Sequence, residues 1–436
     1  MFSTNGQQPF STLTFGMGTS WEERAIQKAI LNVRIKGMGK DGITPVFPKL
    51  VMFLEEGLNL KPEDPNYDIK QLALECSSKR LYPDYISAKH NREITGSSVP
   101  VSPMGCRSYL SVFKGKNGEE ILDGRNNLGV VTLNLPRIAL IAARRAGKAS
   151  VTRKIELFEQ ELANRMPLCF DALMSRVDAL KGAKANVAPV LYTEGAFFRI
   201  NPEDEILDVL KDGRASISLG YIGLHEVLVT LFGVHPFDSE EAQQYGKHVL
   251  KILRHYTDKW KKETGIGFSL YGTPAESLCY RFNRLDRERF GIIKGVTDKD
   301  WHTNSFHLSV DRKVSPFDKI DYEAPYHWIA TGGMISYVEF PDMKNNLKGL
   351  ETVVDYAMDK LHYFGVNTPS DVCNACGSTK EMRATESGFV CPDCGNDDLT
   401  KMHVIRRVSG YLGSVDLRPF NKGKNAEMIN RIKHLD

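Results

Sequence analysis

Four cysteines near the C-terminal end of the chain occur as two Cys-x2-Cys pairs with 14 residues between the pairs. Each pair can lie on a tight turn that presents two thiolates to one tetrahedral ion, and Gly377 and Gly395 directly follow the pairs. Four thiolates suit Zn²⁺ and close its coordination shell, which predicts a structural zinc site. An iron–sulfur cluster is the main alternative. The predicted ligands are Cys373, Cys376, Cys391 and Cys394.

A glycine shortly after this cluster, Gly410 in the segment 407–411 (RVSGY), could carry a different chemistry. Its spacing alone indicates a turn between two short strands. A radical on a glycine Cα, however, is stabilised by the flanking amides and can be planar because no side chain crowds it. In a buried, water-free position such a radical could take a hydrogen atom from a nearby thiol.

Residues 407–411 resemble the R-V-x-G-Y signature of glycyl-radical enzymes. With four cysteines just upstream, they resemble the C-terminal part of the large subunit of class III (anaerobic) ribonucleoside-triphosphate reductases. Eight further motifs are similar to the same family in the same order, so the resemblance covers essentially the whole chain. These motifs are 18–22 (GTSWE), 64–68 (DPNYD), 72–76 (LALEC), 103–108 (PMGCRS), 126–129 (NNLG), 220–226 (GYIGLHE), 272–277 (GTPAES) and 304–307 (NSFH).

This resemblance implies a ten-stranded α/β barrel with a finger loop through its centre, and Cys106 matches the cysteine at the tip of that loop. It implies that Gly410 stores a radical and passes it to Cys106. The thiyl radical would abstract the 3′-hydrogen of a ribonucleoside triphosphate. Loss of water, reduction and return of the hydrogen would give a deoxyribonucleotide for DNA replication. Asn127 matches the family's active-site asparagine, whose amide can hydrogen-bond the sugar hydroxyls.

The motif 272–277 carries a helix start whose free N–H groups and hydroxyls could hold the substrate phosphates. Glu276 would repel phosphate, so we expect its side chain to face elsewhere. The predicted phosphate-binding residues are Thr273, Ala275, Glu276 and Ser277. Three other motif members are expected to have supporting or structural positions, namely His225, Glu226 and His307.

The resemblance also implies partners outside this chain. A radical-SAM activating enzyme, with S-adenosylmethionine and a 4Fe-4S cluster of its own, would generate the glycyl radical. The complete reductase would be an allosterically regulated homodimer. No cysteine follows Gly410, so the tail carries no dithiol shuttle, which favours formate as the reductant.

One family feature is missing, because the cysteine of the first barrel strand has no counterpart among residues 1–75. We therefore expect the chain to be the C-terminal part of a reductase, completed by an N-terminal polypeptide in trans. The remaining cysteines, Cys76, Cys169 and Cys279, fall in or beside helical patterns and are expected to be packed thiols.

The elements that must position these residues alternate between strand and helix patterns, which predicts an α/β fold. Ser20 opens the first helix with a capping box, Pro167 is expected to interrupt a long helix, and Pro274 suits the first position of another. Prolines and a glycine predict a loop over 97–110. Strands are predicted at 9–18, 46–54, 128–135, the start of 216–231 and 334–340, and helices at 20–34, 68–79, within 136–180 and at the end of 216–231.

These patterns divide the chain into three expected parts. Residues 1–365 form the catalytic barrel portion, with the finger loop at about 97–110. Residues 366–399 form the zinc ribbon, and residues 400–436 carry the glycyl-radical loop and the C-terminal tail.

The composition narrows the function classes. The 436 residues are 42% hydrophobic and 25% charged, and 57 Lys and Arg against 54 Asp and Glu give a net charge of +3. This excludes an acidic disordered chain and leaves no basic surplus for nucleic-acid binding. No apolar run spans a membrane, the start has no signal-peptide pattern, and clustered cysteines indicate a reducing cytoplasm.

Two alternatives remain at this stage. A zinc ribbon can belong to a non-catalytic binding module, for example for nucleic acid, but residues 371–400 carry two basic residues against six acidic ones, which argues against it. Another glycyl-radical enzyme, of the formate-lyase type, is the second alternative. The cysteine cluster and the motif around Asn127 favour the reductase.

Overall fold

The structure is a computed structural model that describes residues 11–105, 107–110, 112–115, 117–210, 214–275, 277–386, 388–408, 411–414 and 420–435. Among the helices in these ranges, none is both long and apolar enough to cross a membrane. The helices are α1 Trp21–Lys36, α2 Tyr67–Arg80, α3 Ala88–Thr95, α4 Leu135–Ala146, α5 Val151–Asp178, α6 Pro189–Tyr192, α7 Ile206–Leu210, α8 Leu224–Phe232, α9 Glu240–Thr264, α10 Leu278–Phe290, α11 Pro316–His327, α12 Leu347–Lys360 and α13 Lys422–Asn430.

The strands are mostly short, and the longest lie in two sheets. They are β1 Thr12–Phe15, β2 Lys49–Leu54, β3 Asp84–Ser87, β4 Phe113–Lys114, β5 Glu120–Ile121, β6 Asn126–Asn134, β7 Ala215–Ile222, β8 Gly267–Gly272, β9 Ser336–Glu339, β10 Tyr363–Asn367, β11 Val372–Cys373, β12 Arg383–Thr385, β13 Gly388–Val390, β14 Met402–His403, β15 Ile405–Val408 and β16 Tyr411–Ser414.

A five-stranded sheet has the order β1-β2-β3-β10-β9. Strands β1, β2 and β3 are parallel, β10 is antiparallel to β3, and β9 is parallel to β10. Apolar residues of α2 and α12, such as Leu74 and Val354, pack with Met52 and Phe364 of the sheet in one core. Because both faces are covered, the residues of β2 and β3 are buried throughout.

A second sheet contains three parallel strands in the order β6-β7-β8. Every residue of β7 and β8 is buried, and helices α4, α5, α8 and α9 supply the largest apolar core of the described residues. The predicted α/β class is therefore confirmed. Besides four two-stranded pairs, the described strands form these two separate sheets rather than one closed barrel, so the ten-stranded barrel stays a prediction.

One glycine-rich segment joins the edges of the two sheets. The N–H of Gly332 donates to the carbonyl of Leu270 on β8 at 2.7 Å, and the N–H of Gly272 donates to the carbonyl of Gly333 at 3.0 Å. Strand β9 of the other sheet begins at Ser336, only three residues later. The segment 332–333 therefore lies where the two sheets meet.

Several local predictions are confirmed and two are wrong. The capping box opens α1 as expected, with reciprocal hydrogen bonds between Ser20 and Glu23. Pro167 does not interrupt α5, because the helix buries a continuous apolar stripe on both sides of it, which outweighs a local cost of about 3 kcal/mol. The break lies at Gly147 instead. Pro274 is not the first residue of a helix, since α10 begins at Leu278.

Glu351 joins α12 to α2 and makes the stability of the fold depend on pH. Its carboxylate accepts hydrogen bonds from Tyr67 at 2.9 Å, from Lys70 at 3.1 Å and from Lys348 at 3.1 Å. Burial by itself would raise the pKa of Glu351, but these hydrogen bonds outweigh it and lower the pKa to about 2. The ionised form therefore stabilises the fold above an unfolded pKa of about 4.3, and this contribution is lost as the pH falls toward 2.

We predict that Glu351→Gln is less stable than the wild type at pH 7, by up to about 3 kcal/mol, and that this difference shrinks as the pH falls from about 5 to 2. Urea denaturation at a series of pH values measures it. Glu22→Gln, at an exposed position in the first turn of α1, is the control and should follow the wild type. A difference that is constant with pH would contradict the prediction.

Candidate active site and metal centre

The four predicted metal ligands lie together. Their sulfur atoms are all within 4.8 Å of one another. The distance is 3.8 Å from Cys373 to Cys394 and 3.7 Å from Cys376 to Cys391. Four sulfurs at about 2.3 Å from a tetrahedral ion are about 3.8 Å apart, so the arrangement fits such an ion.

Two matching turns present these thiolates. The N–H of Gly377 donates to the carbonyl of Cys373 at 2.8 Å, and the N–H of Gly395 donates to the carbonyl of Cys391 at 3.0 Å. The φ angles of the two glycines are +77° and +73°, a region that glycine reaches without strain. The predicted turn glycines are therefore confirmed.

The metal centre is continuous with the strand that leads to Gly410. Val408, the last residue of β15, packs in one small core with Cys373 and Cys391. Asp371 is buried and accepts hydrogen bonds from Arg406 on the same strand, one of them at 2.7 Å. Gly410 lies outside the described residues, between β15 and β16 in the sequence.

Arg407 holds β15 against the five-stranded sheet. Its Nη1 donates to Oδ1 of Asp84 on β3 at 2.7 Å, and both side chains are buried. Burial alone would lower the pKa of Arg407, but the Asp84 carboxylate outweighs it and raises the pKa. The carbonyl of Arg407 accepts a hydrogen bond from Arg431 at 2.7 Å. Hydrogen bonds therefore hold both a side chain and a backbone carbonyl of the strand before Gly410.

The predicted finger loop has loop structure in its described residues. Arg107 and Tyr109 at its end contact the glycine segment 332–333 between the two sheets. Cys106 lies outside the described residues, but Arg107 beside it is completely buried. A Cβ at Gly333 would lie 1.9 Å from the carbonyl oxygen of Arg107, so only glycine allows this approach. The N–H of Tyr109 donates to the carbonyl of Gly332 at 2.9 Å.

Tyr337 on β9 contacts both of these segments. The guanidinium of Arg407 lies over its ring, 5.0 Å from the centroid, and that of Arg107 lies over it at 5.7 Å. Nη2 of Arg107 is also 3.5 Å from the hydroxyl of Tyr337. The immediate neighbour of Cys106 and a residue three positions before Gly410 therefore meet at one aromatic ring.

Asn127 lies in an irregular part of β6 and begins a row of polar side chains. The pairing register of β6 shifts between residues 127 and 130, and Gly129 has a φ of +146°. This turns the amide of Asn127 so that Nδ2 donates to Oγ of Ser218 at 2.8 Å, and Ser218 is 3.2 Å from Ser269. A Cβ at Gly332 would lie 2.6 Å from Oγ of Ser269. The row of polar side chains therefore ends at Gly332, which the predicted finger loop contacts.

The predicted phosphate residues are only partly brought together. Thr273 is buried just after β8, and its hydroxyl is 3.1 Å from that of Thr132 on β6. Ala275 is buried, whereas Ser277 is exposed and is the N-cap of α10 without using its hydroxyl for capping. Glu276 lies outside the described residues. Thr132 is five residues beyond Asn127 on the same strand, so the two groups are about 15 Å apart.

The motif residues expected to be structural are buried, and one of them, Glu226, binds the segment that contains His307. Oε1 of Glu226 accepts hydrogen bonds from the N–H and the hydroxyl of Thr303, at 2.7 and 2.8 Å. Nδ1 of His307 is 3.3 Å from Glu323. Burial lowers the pKa of His307 although Glu323 acts in the opposite direction. His225 precedes Glu226 on α8 and is buried as well.

Apart from Cys106, which lies outside the described residues, the three cysteines beyond the metal cluster are packed thiols, as predicted. Cys76, Cys169 and Cys279 are buried in α2, α5 and α10. Burial raises the pKa of Cys76 to about 12 and that of Cys169 to about 11. These thiols stay protonated at neutral pH and are poor nucleophiles.

Comparison with known proteins agrees with this arrangement. A family profile described as "Anaerobic ribonucleoside-triphosphate reductase" matches residues 1–434. The chain belongs to this reductase family. It is 60% identical over 435 residues to the anaerobic ribonucleoside-triphosphate reductase of Enterobacteria phage T4, covering 100% of this chain and 69% of that protein. It is 54% identical over 437 residues to the protein of the same name from Escherichia coli (strain K12), with 100% and 60% covered.

A solved structure of the family shares the fold. The anaerobic ribonucleotide reductase from Thermotoga maritima in complex with dATP and CTP matches with a TM-score of 0.62 and 18% identity, over 94% of this chain and 64% of that chain. The chain thus spans 60–69% of the length of the two reductases compared above. Family membership favours the reductase over a separate zinc-ribbon binding module.

Some residues of the candidate site in this reductase are not indicated by the sequence patterns. Tyr337 lies in the pattern 334–340, which predicts a strand and no chemistry. Ser218 likewise carried no signal. Arg107 and Arg407 stand inside the quoted motifs, and their charge beside Cys106 and Gly410 could have drawn attention to them.

We predict about one tightly bound metal ion per chain after anaerobic purification, and loss of that metal in Cys376→Ser, because three thiolates no longer close the shell. Elemental analysis of the purified protein measures it. The control is Cys169→Ser, which changes a buried thiol of α5 and should keep its metal. Equal metal contents in the two variants would contradict the prediction.

Proposed function

We propose that this chain carries the radical chemistry of an anaerobic ribonucleoside-triphosphate reductase, in which Gly410 stores a radical and Cys106 receives it. One observation carries the proposal. Arg107 beside Cys106 and Arg407 before Gly410 both contact the ring of Tyr337, so the chain segments next to the two proposed radical residues are neighbours. The family supplies the reaction class.

In the proposed reaction the Cys106 thiyl radical takes the 3′-hydrogen of the ribose, forming an S–H bond and a radical at C3′. The 2′-hydroxyl takes up a proton from solvent and leaves as water. Formate would supply its hydrogen with two electrons, formally a hydride, which forms the new C2′–H bond, and would leave as carbon dioxide. The S–H bond then returns its hydrogen to C3′, which regenerates the thiyl radical and completes the deoxyribonucleotide. The completely buried Arg107 supports a water-poor setting for these steps.

Asn127 would orient the ribose. Its Nδ2 uses one hydrogen for Ser218, and its Oδ1 accepts one bond from the N–H of Gly129. One amide hydrogen and one lone pair therefore remain for the sugar hydroxyls. Because the amide is uncharged, it can make these bonds without changing the protonation of the sugar.

The phosphates would bind at the start of α10. The first N–H groups of a helix have no intrahelical partners, and they favour anions. The exposed hydroxyl of Ser277 is free of a capping bond, and Thr273 and Ala275 lie directly before it. Glu276 would face away from the phosphates.

The four cysteines would hold zinc, whose role is structural support of the strand that precedes Gly410. We further propose the three-part division at 1–365, 366–399 and 400–436, and an N-terminal polypeptide that completes the ten-stranded barrel in trans. The complete reductase would act as a homodimer in a reducing cytoplasm and would receive its radical from a radical-SAM activating enzyme.

We predict a doublet EPR signal after anaerobic incubation of the chain with the activating enzyme, S-adenosylmethionine and a reductant, and no doublet from Gly410→Ala. The signal reports one hydrogen on a glycine Cα radical, and exposure to air should then cut the backbone at Gly410. The same samples are measured with an N-terminal reductase polypeptide added. If the wild type gave no doublet either with or without the N-terminal polypeptide, the result would contradict the proposal that Gly410 stores a radical.

We predict that Asn127→Asp keeps the glycyl radical signal but loses turnover of ribonucleoside triphosphates by roughly 10²-fold or more, because a charged acceptor replaces a neutral donor at the ribose. Radiolabelled substrate and EPR on the same preparation measure the two quantities. Asn201→Asp, at an exposed position, is the matched control and should keep both. Full turnover of Asn127→Asp would refute the assignment.

A further inference from the structure

We propose that Tyr337 is a positioning residue that holds the segment beside Cys106 in register with the strand that leads to Gly410. This inference rests on the proposed function, because it concerns the transfer between those two residues. Tyr337 itself is not assigned to the reacting atoms.

The contacts around the ring are unusual because two buried cations share it. Arg107 is completely buried and Arg407 is 3% exposed. Two like charges in such a setting repel each other strongly, whereas the face of an aromatic ring attracts each of them. The shared ring of Tyr337 therefore favours the presence of both guanidinium groups at one place.

The two arginines differ in what else holds them. Arg407 has an independent anchor in Asp84. Arg107 makes no ion pair within the described part of the chain, and its Nε and Nη1 are buried without hydrogen-bond partners. Its side chain contacts Tyr337 in two ways. The guanidinium lies over the ring, and Nη2 lies 3.5 Å from the hydroxyl. The side chain of Arg107 therefore depends on Tyr337 more than that of Arg407 does, and it adds a side-chain link to the backbone contacts of the same segment on Gly332 and Gly333.

The backbone opposite Tyr337 keeps the required space. Gly365 of β10 is the register partner of Tyr337 on β9. A Cβ at this glycine would lie 2.5 Å from the ring of Tyr337 and 2.6 Å from Nη1 of Arg407. A side chain at position 365 would thus enter the space in which the ring and the guanidinium meet.

The test separates radical formation from radical use. Tyr337→Leu removes the ring, Tyr337→Phe keeps it, and Arg107→Gln removes the loop's cation. Each variant is examined in the full chain together with the N-terminal reductase polypeptide and the activating enzyme. EPR gives the glycyl radical yield per chain, and conversion of ribonucleoside triphosphates gives turnover.

We expect Tyr337→Leu to keep a radical yield within about twofold of the wild type and to lose turnover by roughly 10- to 100-fold, because a misplacement of about 1 Å can cost that much. Tyr337→Phe should stay within about threefold of the wild type, since the ring contacts remain. The double variant Tyr337→Leu/Arg107→Gln should lose no more than the worse single variant, because both remove the same link.

Tyr82→Leu is the matched control. The ring of Tyr82 also lies 5.0 Å from the guanidinium of Arg407, but its other described cation is Arg34 and not Arg107. It should keep most of the turnover. An equal loss in Tyr82→Leu would mean that Arg407 alone decides the effect, and the proposal would be overturned.

Three further outcomes would overturn it: wild-type turnover in Tyr337→Leu, a radical yield that falls in parallel with turnover, or losses that multiply in the double variant. If Tyr337→Leu does not fold, the test rests on Arg107→Gln alone. Loss of turnover with the radical yield kept would support the proposal, and any other result for this variant would overturn it. A wild type without radical or turnover would instead refute the proposed function, so the two failures are distinguishable.

Discussion

The buried ion pair between Arg407 and Asp84 is the interaction on which the site depends. It joins a strand near the C-terminal end to the middle of the five-stranded sheet, across 323 residues of sequence. Nζ of Lys49 also lies 3.2 Å from Oδ2 of Asp84, so two cations compensate the charge of this carboxylate. Replacing Asp84 would leave the buried Arg407 guanidinium without its counter-ion, and removing one partner of a buried pair costs about 3–5 kcal/mol. Without this pair the strand before Gly410 would keep only its contact with Tyr337, the bond from Arg431 to the Arg407 carbonyl and its packing on the ribbon among the contacts described above.

The predicted finger loop is held in a different way. No ion pair of Arg107 is found in the described ranges, and the loop is seated by backbone contacts on Gly332 and Gly333, where the edges of β8 and β9 meet. The same segment touches Ser269, which ends the polar row from Asn127. The sheet edge, the loop and the proposed ribose site therefore share the backbone segment 332–333, whereas β15 reaches the sheet through the side chain of Arg407.

Local chemistry explains what the sequence could predict. The spacing of the four cysteines, the capping box at Ser20 and the turn glycines after each cysteine pair are all encoded within a few residues. The α/β alternation was readable for the same reason. Pro167 was misjudged because packing on both sides of α5 outweighs the local preference of proline.

Long-range contacts explain what the sequence could not predict. Tyr337 has no local pattern that distinguishes it from any strand tyrosine, and its importance comes from two arginines about 230 and 70 residues away in the chain. The roles of Cys106 and Gly410 came from family resemblance, since spacing alone indicates an inert thiol and a turn.

The core that Val408 shares with the ribbon has a thermodynamic consequence. Among the described residues it contains eight buried side chains, two of which are predicted metal ligands, and a cluster of this size would hold together weakly without an ion. Strand β15 and the ribbon should therefore loosen together when the ion is removed, against the hold of the Arg407–Asp84 pair. Amide hydrogen exchange of Ile405–Val408 would then be faster in the metal-free protein than in the metal-loaded protein.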